Sequence, residues 1–282
     1  MLMEIGMADA YGVGFEFIKQ DKIKEKHTLI KYYDSSIDDL KAGQYSDDTQ
    51  MSIAIAEFML EEIEWNQYNL AKKFLEVFHR ELFPNGKPRP GYAGGFYNFM
   101  MENKTPEDFI ANIKNDSIRN GAAMRSVPLS IIKNIEELKE KAKIQAMVTH
   151  NSIEGIHSSQ AVALIGNYFL YQNGNKENIL EYINNELEEN YINNKTDRVA
   201  CDAKETIDAV ITILESSSSL LEVLDKSIKL GGDTDSVAAI AVGLASLSKQ
   251  YKSNLPNFLY ENLEDGKFGK KYLLAIDVMF NV

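Results

Sequence analysis

The chain has 282 residues, 44% hydrophobic and 26% charged, the balance of a soluble globular protein long enough to bury a substantial core. Acidic residues outnumber basic ones 42 to 30, and the net charge of −12 argues against non-specific nucleic-acid binding, which depends on Lys and Arg neutralising phosphates. The single cysteine, Cys201, excludes an internal disulfide and suits a reducing compartment.

From the N-terminus, MLMEIGMADAYG lacks the basic-then-apolar order of a signal peptide. No uncharged apolar run reaches the roughly 18 residues of a membrane span, so a cytoplasmic protein without membrane partners is expected. After SDDT, residues Met51, Ile55, Phe58, Met59 and Ile63 recur at helical spacing and predict an amphipathic helix. FPNGKPRPGYAGG (83–95) carries four glycines and three prolines and predicts a loop. HSSQAVALIGNYFLY is apolar nearly all round and predicts a central helix. KENILEYINNELEENY, DAKETIDAVITILESS and SLLEVLDKSIKL predict amphipathic helices. A last stripe, Val237, Ile240, Ala241, Leu244 and Leu247, follows GGDTDS. Alternating strand patterns are nearly absent, and no long linker interrupts the chain. The expected fold is all-α, a compact bundle of many helices, with residues 1–282 forming a single domain and a monomer expected.

Two acidic clusters each open a predicted helix: Ser46-Asp47-Asp48-Thr49 and Gly231-Gly232-Asp233-Thr234-Asp235-Ser236. Either alone reads well as an N-cap, because Ser, Thr and Asp satisfy free backbone N–H groups and acids favour the helix dipole. One cap needs one side chain, however, and the Gly-Gly pair permits backbone angles and close approaches that a capped helix does not require. Asp233 and Ser236, three apart, are expected to share a face, with Asp235 turned elsewhere. Carboxylates with hydroxyls are hard oxygen ligands, suited to Mg²⁺, Mn²⁺ or Ca²⁺ rather than zinc. If the clusters meet, four carboxylates would repel one another, and two divalent cations would offset them. His150, Glu154 and His157 do not form a zinc motif: the two histidines are seven residues apart, about two helical turns.

These blocks carry a resemblance. GMADAYGVGFE (6–16), YSDDTQM (45–51), SIRNGAAMRSVPLS (117–130), VTHNS (148–152) and GGDTDSVAAIAVG (231–243) occur in the order of the blocks of the ADP-ribosylglycohydrolase family. The resemblance spans residues 6 to 243; GGDTD[ST] with [ST]DDT is its specific part, and the first block alone is weak. It implies that Ser46, Asp47, Asp48, Asp233, Asp235 and Ser236 are metal ligands around a central binuclear cleft. Two divalent cations would sit there, with Mg²⁺ first and Mn²⁺ second. It implies a catalytic or gating role for Glu16, with Asp47 and Asp48 as the other candidate bases. The loop Ser117, Ile118, Arg119, Asn120 and Gly121 would wrap the diphosphate and ribose, and His150 would contact substrate. Tyr92 and Gly95 are expected on the acceptor side of the cleft. The chain departs from the family at Ala8, where Gly is usual, and at Ser46 and Ser236, which replace Thr but keep a hydroxyl. It departs again at Asp116 and Arg119, where Gly is common; Asp116 would repel phosphate if it pointed inward. Arg125 is expected in a structural ion pair.

The implied reaction is metal-dependent hydrolysis at C1″ of ADP-ribose, freeing ADP-ribose from a modified protein or other macromolecule, with ADP-ribosyl-arginine as the first expectation. The alternatives are hydrolysis of ADP-ribosyl-serine or ADP-ribosylated nucleic acid, or a non-catalytic, crystallin-like ADP-ribose binder of the same fold.

Overall fold

A computed structural model describes residues 1–61 and 63–281. Fifteen α-helices and three short 3₁₀ turns account for the regular structure of these residues, which contain only isolated β-bridges. The all-α expectation holds.

At the centre lie helices with no polar face. The opening helix Leu2–Gly12 is buried at every position but Glu4, and Thr234–Ala245 is buried throughout. A helix apolar all round has no side to offer water, so other helices must enclose it. These two pack along each other. Gly12 allows a close approach at one end, since a Cβ there would lie 2.5 Å from the Asp235 Cα. Gly243 allows another, where a Cβ would lie 2.6 Å from Ile5. Thr234 Oγ1 ties the pair by donating to the Gly12 carbonyl at 2.8 Å.

Asp47–Leu60 packs on the opening helix from another side, and Ile153–Tyr171, predicted to be central, is buried from Ala161 to Asn167. The amphipathic helices Ile179–Leu187, Ala203–Ser216 and Leu220–Leu230 form the outer layer, with Leu220–Leu230 laid against Thr234–Ala245. Two predicted stripes run past their helices. The first helix ends at Leu60, leaving Ile63 outside it and 39% exposed; the last ends at Ala245, leaving Leu247 packed on the core from a turn. Among the described residues, no helix is long and apolar enough to cross a membrane.

Candidate active site

The two acidic clusters meet. Ser236 Oγ donates to Asp48 Oδ2 at 3.3 Å, joining segments 188 residues apart, and Ser46 Oγ donates to the same oxygen at 3.2 Å. Capping explains part of the first cluster, for Ser46 Oγ also accepts from the Asp48 backbone N–H at 3.2 Å. It does not explain the second. Asp233 occupies the N-cap position of Thr234–Ala245 yet caps nothing; its Oδ2 accepts from Asn120 Nδ2 at 2.8 Å instead.

Backbone geometry sets this arrangement. Gly231 and Gly232 have φ of +73° and +90°, and a Cβ on Gly232 would lie 1.8 Å from the Val199 carbonyl oxygen. The pair is threaded between Val199, whose carbonyl accepts from the Asp233 N–H at 3.0 Å, and Phe17, whose N–H donates to Gly232 at 2.8 Å. Only glycine combines those angles with that clearance. Because Asp233 is non-helical (φ −79°, ψ 71°), helical spacing does not govern this corner. Asp235, expected to turn elsewhere, lies beside Asp233 and is only 4% exposed.

Two groups of acids are placed to hold a cation. Oxygens of Asp9, Asp48 and Asp235 lie within 4.8 Å of one another, as do those of Glu16, Asp233 and Asp235. Asp235 belongs to both groups. Asp47 belongs to neither but lines the cleft beside them. Asp48 Oδ1 and Asp235 Oδ1 are buried without a hydrogen-bond partner, a costly state for a carboxylate oxygen that a hard cation would relieve. Burial, reinforced by the neighbouring carboxylates, pushes Asp47, Asp48 and Asp235 well above the usual carboxylate range. Burial first, and then Asp233 and Asp47, push Glu16 up to about 9. The donor set therefore fits divalent cations in chemistry and in charge.

Asp9 has no role in the sequence reading. It is fully buried, and its carboxylate accepts from the N–H groups of Ser46 and Thr49 at 3.0 Å and from the Thr49 hydroxyl. It thus anchors the free N–H groups where the Asp47–Leu60 helix begins. Its place in the opening block was the available signal, but an aspartate in a helical stretch reads equally well as a surface residue.

A cleft of about 700 Å³ opens over the acids. One wall is the 83–95 loop, which gives way to helix Gly94–Glu102. Arg89 holds this loop down: Nη1 donates to the Tyr45 carbonyl at 2.8 Å and to Glu264 at 2.7 Å, and the guanidinium stacks 3.9 Å above the Tyr45 ring. Tyr92 is buried on the same wall and donates to Gln50 Oε1 at 2.7 Å; Gly95 is exposed at the rim.

Another stretch of the wall holds Ser117, Arg119, Asn120, Gly121 and His150. Ser152 Oγ donates to the Ser117 carbonyl at 2.7 Å while capping Ile153–Tyr171, so one residue fixes both loop and helix. Ile118 lies in the same loop. Its side chain is 52% exposed and is not part of the cleft wall; only its backbone is engaged, accepting from Ala203. Asp116 is exposed and likewise off the wall. Arg125 corrects a second expectation, for it makes no ion pair among the described residues and is buried against neutral oxygens. Cys201 lines the cleft, but burial and then Asp233 hold its thiol up, which disfavours a thiolate nucleophile. His157 pairs with Glu189 at 2.7 Å on the outer surface.

The family model for ADP-ribosylglycohydrolase matches residues 6–279. The chain belongs to the ADP-ribosylglycohydrolase family. An uncharacterised protein of Archaeoglobus fulgidus is 26% identical over 95% of this chain and 91% of its own length. ADP-ribosylarginine hydrolase Tri1 of Serratia proteamaculans is 23% identical over 90% of this chain and 72% of its own. ADP-ribosylhydrolase ARH3 of Gallus gallus is 27% identical over 51% of this chain and 40% of its own. A solved structure described as an ADP-ribosylglycohydrolase-related protein complex shares the fold, with a TM-score of 0.72 at 18% identity over 99% of this chain and 94% of that one.

Proposed function

We propose that this ADP-ribosylglycohydrolase removes ADP-ribose from a modified protein by cleaving the glycosidic bond at C1″, that it depends on divalent cations, and that its substrate linkage is ADP-ribosyl-arginine. The observation that carries this reading is the pair of acid groups sharing Asp235, with orphaned oxygens on Asp48 and Asp235. Asp9, Asp48 and Asp235 would hold one cation and Glu16, Asp233 and Asp235 the other, with Ser46, Asp47 and Ser236 adjoining. Mg²⁺ is the first choice for such oxygen ligands and Mn²⁺ the second. When bound, such ions supply positive charge for ribose hydroxyls and lower the pKa of a water.

The chain's own residues do the rest. The cleft volume falls within the roughly 300–1,000 Å³ of small-molecule sites. Arg119 and Lys114 bring positive charge to its wall, where a diphosphate would otherwise meet a strongly acidic protein. Asn120 joins that wall to Asp233, which would bring ribose and diphosphate binding into register with the acids. Asp47 lies outside both acid groups, next in the chain to Asp48 and on the cleft, and its carboxylate is assigned here to take a proton from water. It would also stabilise an oxocarbenium-like centre.

Arginine is favoured as the acceptor because the relative named for arginine aligns along 90% of this chain. The test is release of ADP-ribose from arginine-linked protein, serine-linked protein and ADP-ribosylated nucleic acid, each with Mg²⁺. Fastest release from the arginine linkage is expected. Release from serine alone would replace the linkage, and release from none would leave an ADP-ribose-binding protein.

A further inference from the structure

Arg125 reaches the cleft through a chain of hydrogen bonds. Its Nε donates to Gln145 Oε1, its Nη1 to the Gly121 carbonyl at 2.9 Å, and its Nη2 to the Gln145 carbonyl at 3.0 Å and to Thr149 Oγ1 at 2.9 Å. A guanidinium donates and never accepts, so the direction of the last bond is fixed: the Thr149 oxygen is the acceptor. The Thr149 hydroxyl has one hydrogen, and this side chain is 4% exposed. Its other polar neighbour is His150 Nδ1, at 2.7 Å. A buried hydroxyl hydrogen without an acceptor is costly, so it is given to Nδ1. Nδ1 is then an acceptor without a hydrogen, and the ring hydrogen resides on Nε2. His150 Nε2 has no protein partner among the described residues, and the ring lies on the cleft wall against Gly121, where a Cβ would come within 3.0 Å of Nε2.

We propose that Thr149, oriented by Arg125, is a positioning residue that holds His150 as the Nε2–H tautomer and so presents a fixed hydrogen-bond donor to an oxygen of the bound ADP-ribosyl group. The ligand half of this inference rests on the function proposed above; the tautomer half does not. Burial first, and then the charges of Arg125 and Arg119, pull the imidazole down to about 3, so the ring is neutral at neutral pH and its two nitrogens have distinct roles. A neutral donor fixed in advance serves an anionic ligand without adding a proton whose presence depends on pH.

Two measurements test it, each on the full chain and on the variants Thr149→Val and Thr149→Ser. Long-range ¹H–¹⁵N correlation spectra of the imidazoles report the tautomer, and titration with ADP-ribose reports the donor's use. The wild type should show the Nε2–H pattern at His150. Thr149→Val should lose that pattern, weaken ADP-ribose about tenfold and raise KM by a similar factor with a smaller change in kcat. Thr149→Ser, which keeps the hydroxyl, should restore all three. An Nδ1–H pattern in the wild type would overturn the proposal without touching the proposed activity. Wild-type ADP-ribose affinity in Thr149→Val would also overturn it. An Nε2–H pattern in a wild type that does not bind ADP-ribose would instead overturn the functional reading, and with it the ligand half alone.

Discussion

At the scale of single residues, the site is governed by carboxylates that have lost their water. Asp235 sits in both acid groups, is 4% exposed and keeps one oxygen without a partner. Such a group is held in place by the fold around it, not by bonds of its own. Replacing Asp235 by Asn should therefore separate function from folding. ADP-ribose release should fall at least about 100-fold, since charge stabilisation by a bound cation is worth several kcal/mol. The melting temperature of the metal-free protein should hold or rise, because one of several repelling charges is gone. Turnover and thermal melts in EDTA read the two effects, and wild-type turnover would remove Asp235 from the reaction. Arg125 teaches the reverse lesson. A buried arginine suggests an ion pair, but its donors are taken by Gln145, Gly121 and Thr149, a set of neutral oxygens that charge counting along a chain does not reveal.

At the scale of elements, what positions the acids is the way three segments begin or end. The Gly231-Gly232 pair turns the chain into Thr234–Ala245 at an angle no other residue accepts. Gly232→Ala should cost about 3 kcal/mol, combining a positive φ with a Cβ 1.8 Å from the Val199 carbonyl oxygen. Urea denaturation measures it, and an unchanged midpoint would show that the turn can relax. This element was legible in the sequence, because Gly-Gly before an acidic helix start has few structural reasons. The predicted 83–95 loop was legible as far as Ala93 for a similar reason, since prolines break a helix there, whereas Gly94 and Gly95 open the helix Gly94–Glu102. How that loop is fastened was not legible, because Arg89 depends on Glu264, 175 residues away. Asp9 was hidden likewise: its partners, Ser46 and Thr49, belong to another helix, and nothing in ADAY marks the aspartate as buried. The helix starts that build the site were thus readable from local chemistry, whereas the bonds between elements required the fold.

At the scale of the molecule, a net charge of −12 and a buried acid cluster are expected to make stability depend on pH and on cations together. Asp9 is raised from 3.8 to about 6 and Glu16 from 4.5 to about 9, burial being the larger cause in both. A carboxyl whose folded pKa exceeds its unfolded value keeps its proton longer in the native state. Their contribution is therefore fully present below about pH 4 and is lost as pH rises through 6 for Asp9 and through 9 for Glu16. Metal-free protein should lose stability across that window. Added Mg²⁺ should stabilise it more at pH 8 than at pH 5, because the ion binds only deprotonated carboxylates. Calorimetry at both pH values, with EDTA and with Mg²⁺, checks the sign; an equal shift at both would place the ion elsewhere. The most direct test of a cation-dependent hydrolase is release of ADP-ribose from ADP-ribosyl-arginine protein by enzyme stripped with EDTA and then given Mg²⁺ or Mn²⁺. Release is expected to vanish on stripping and to return with the ion, whereas undiminished release in EDTA would contradict the role given to Asp48, Asp233 and Asp235.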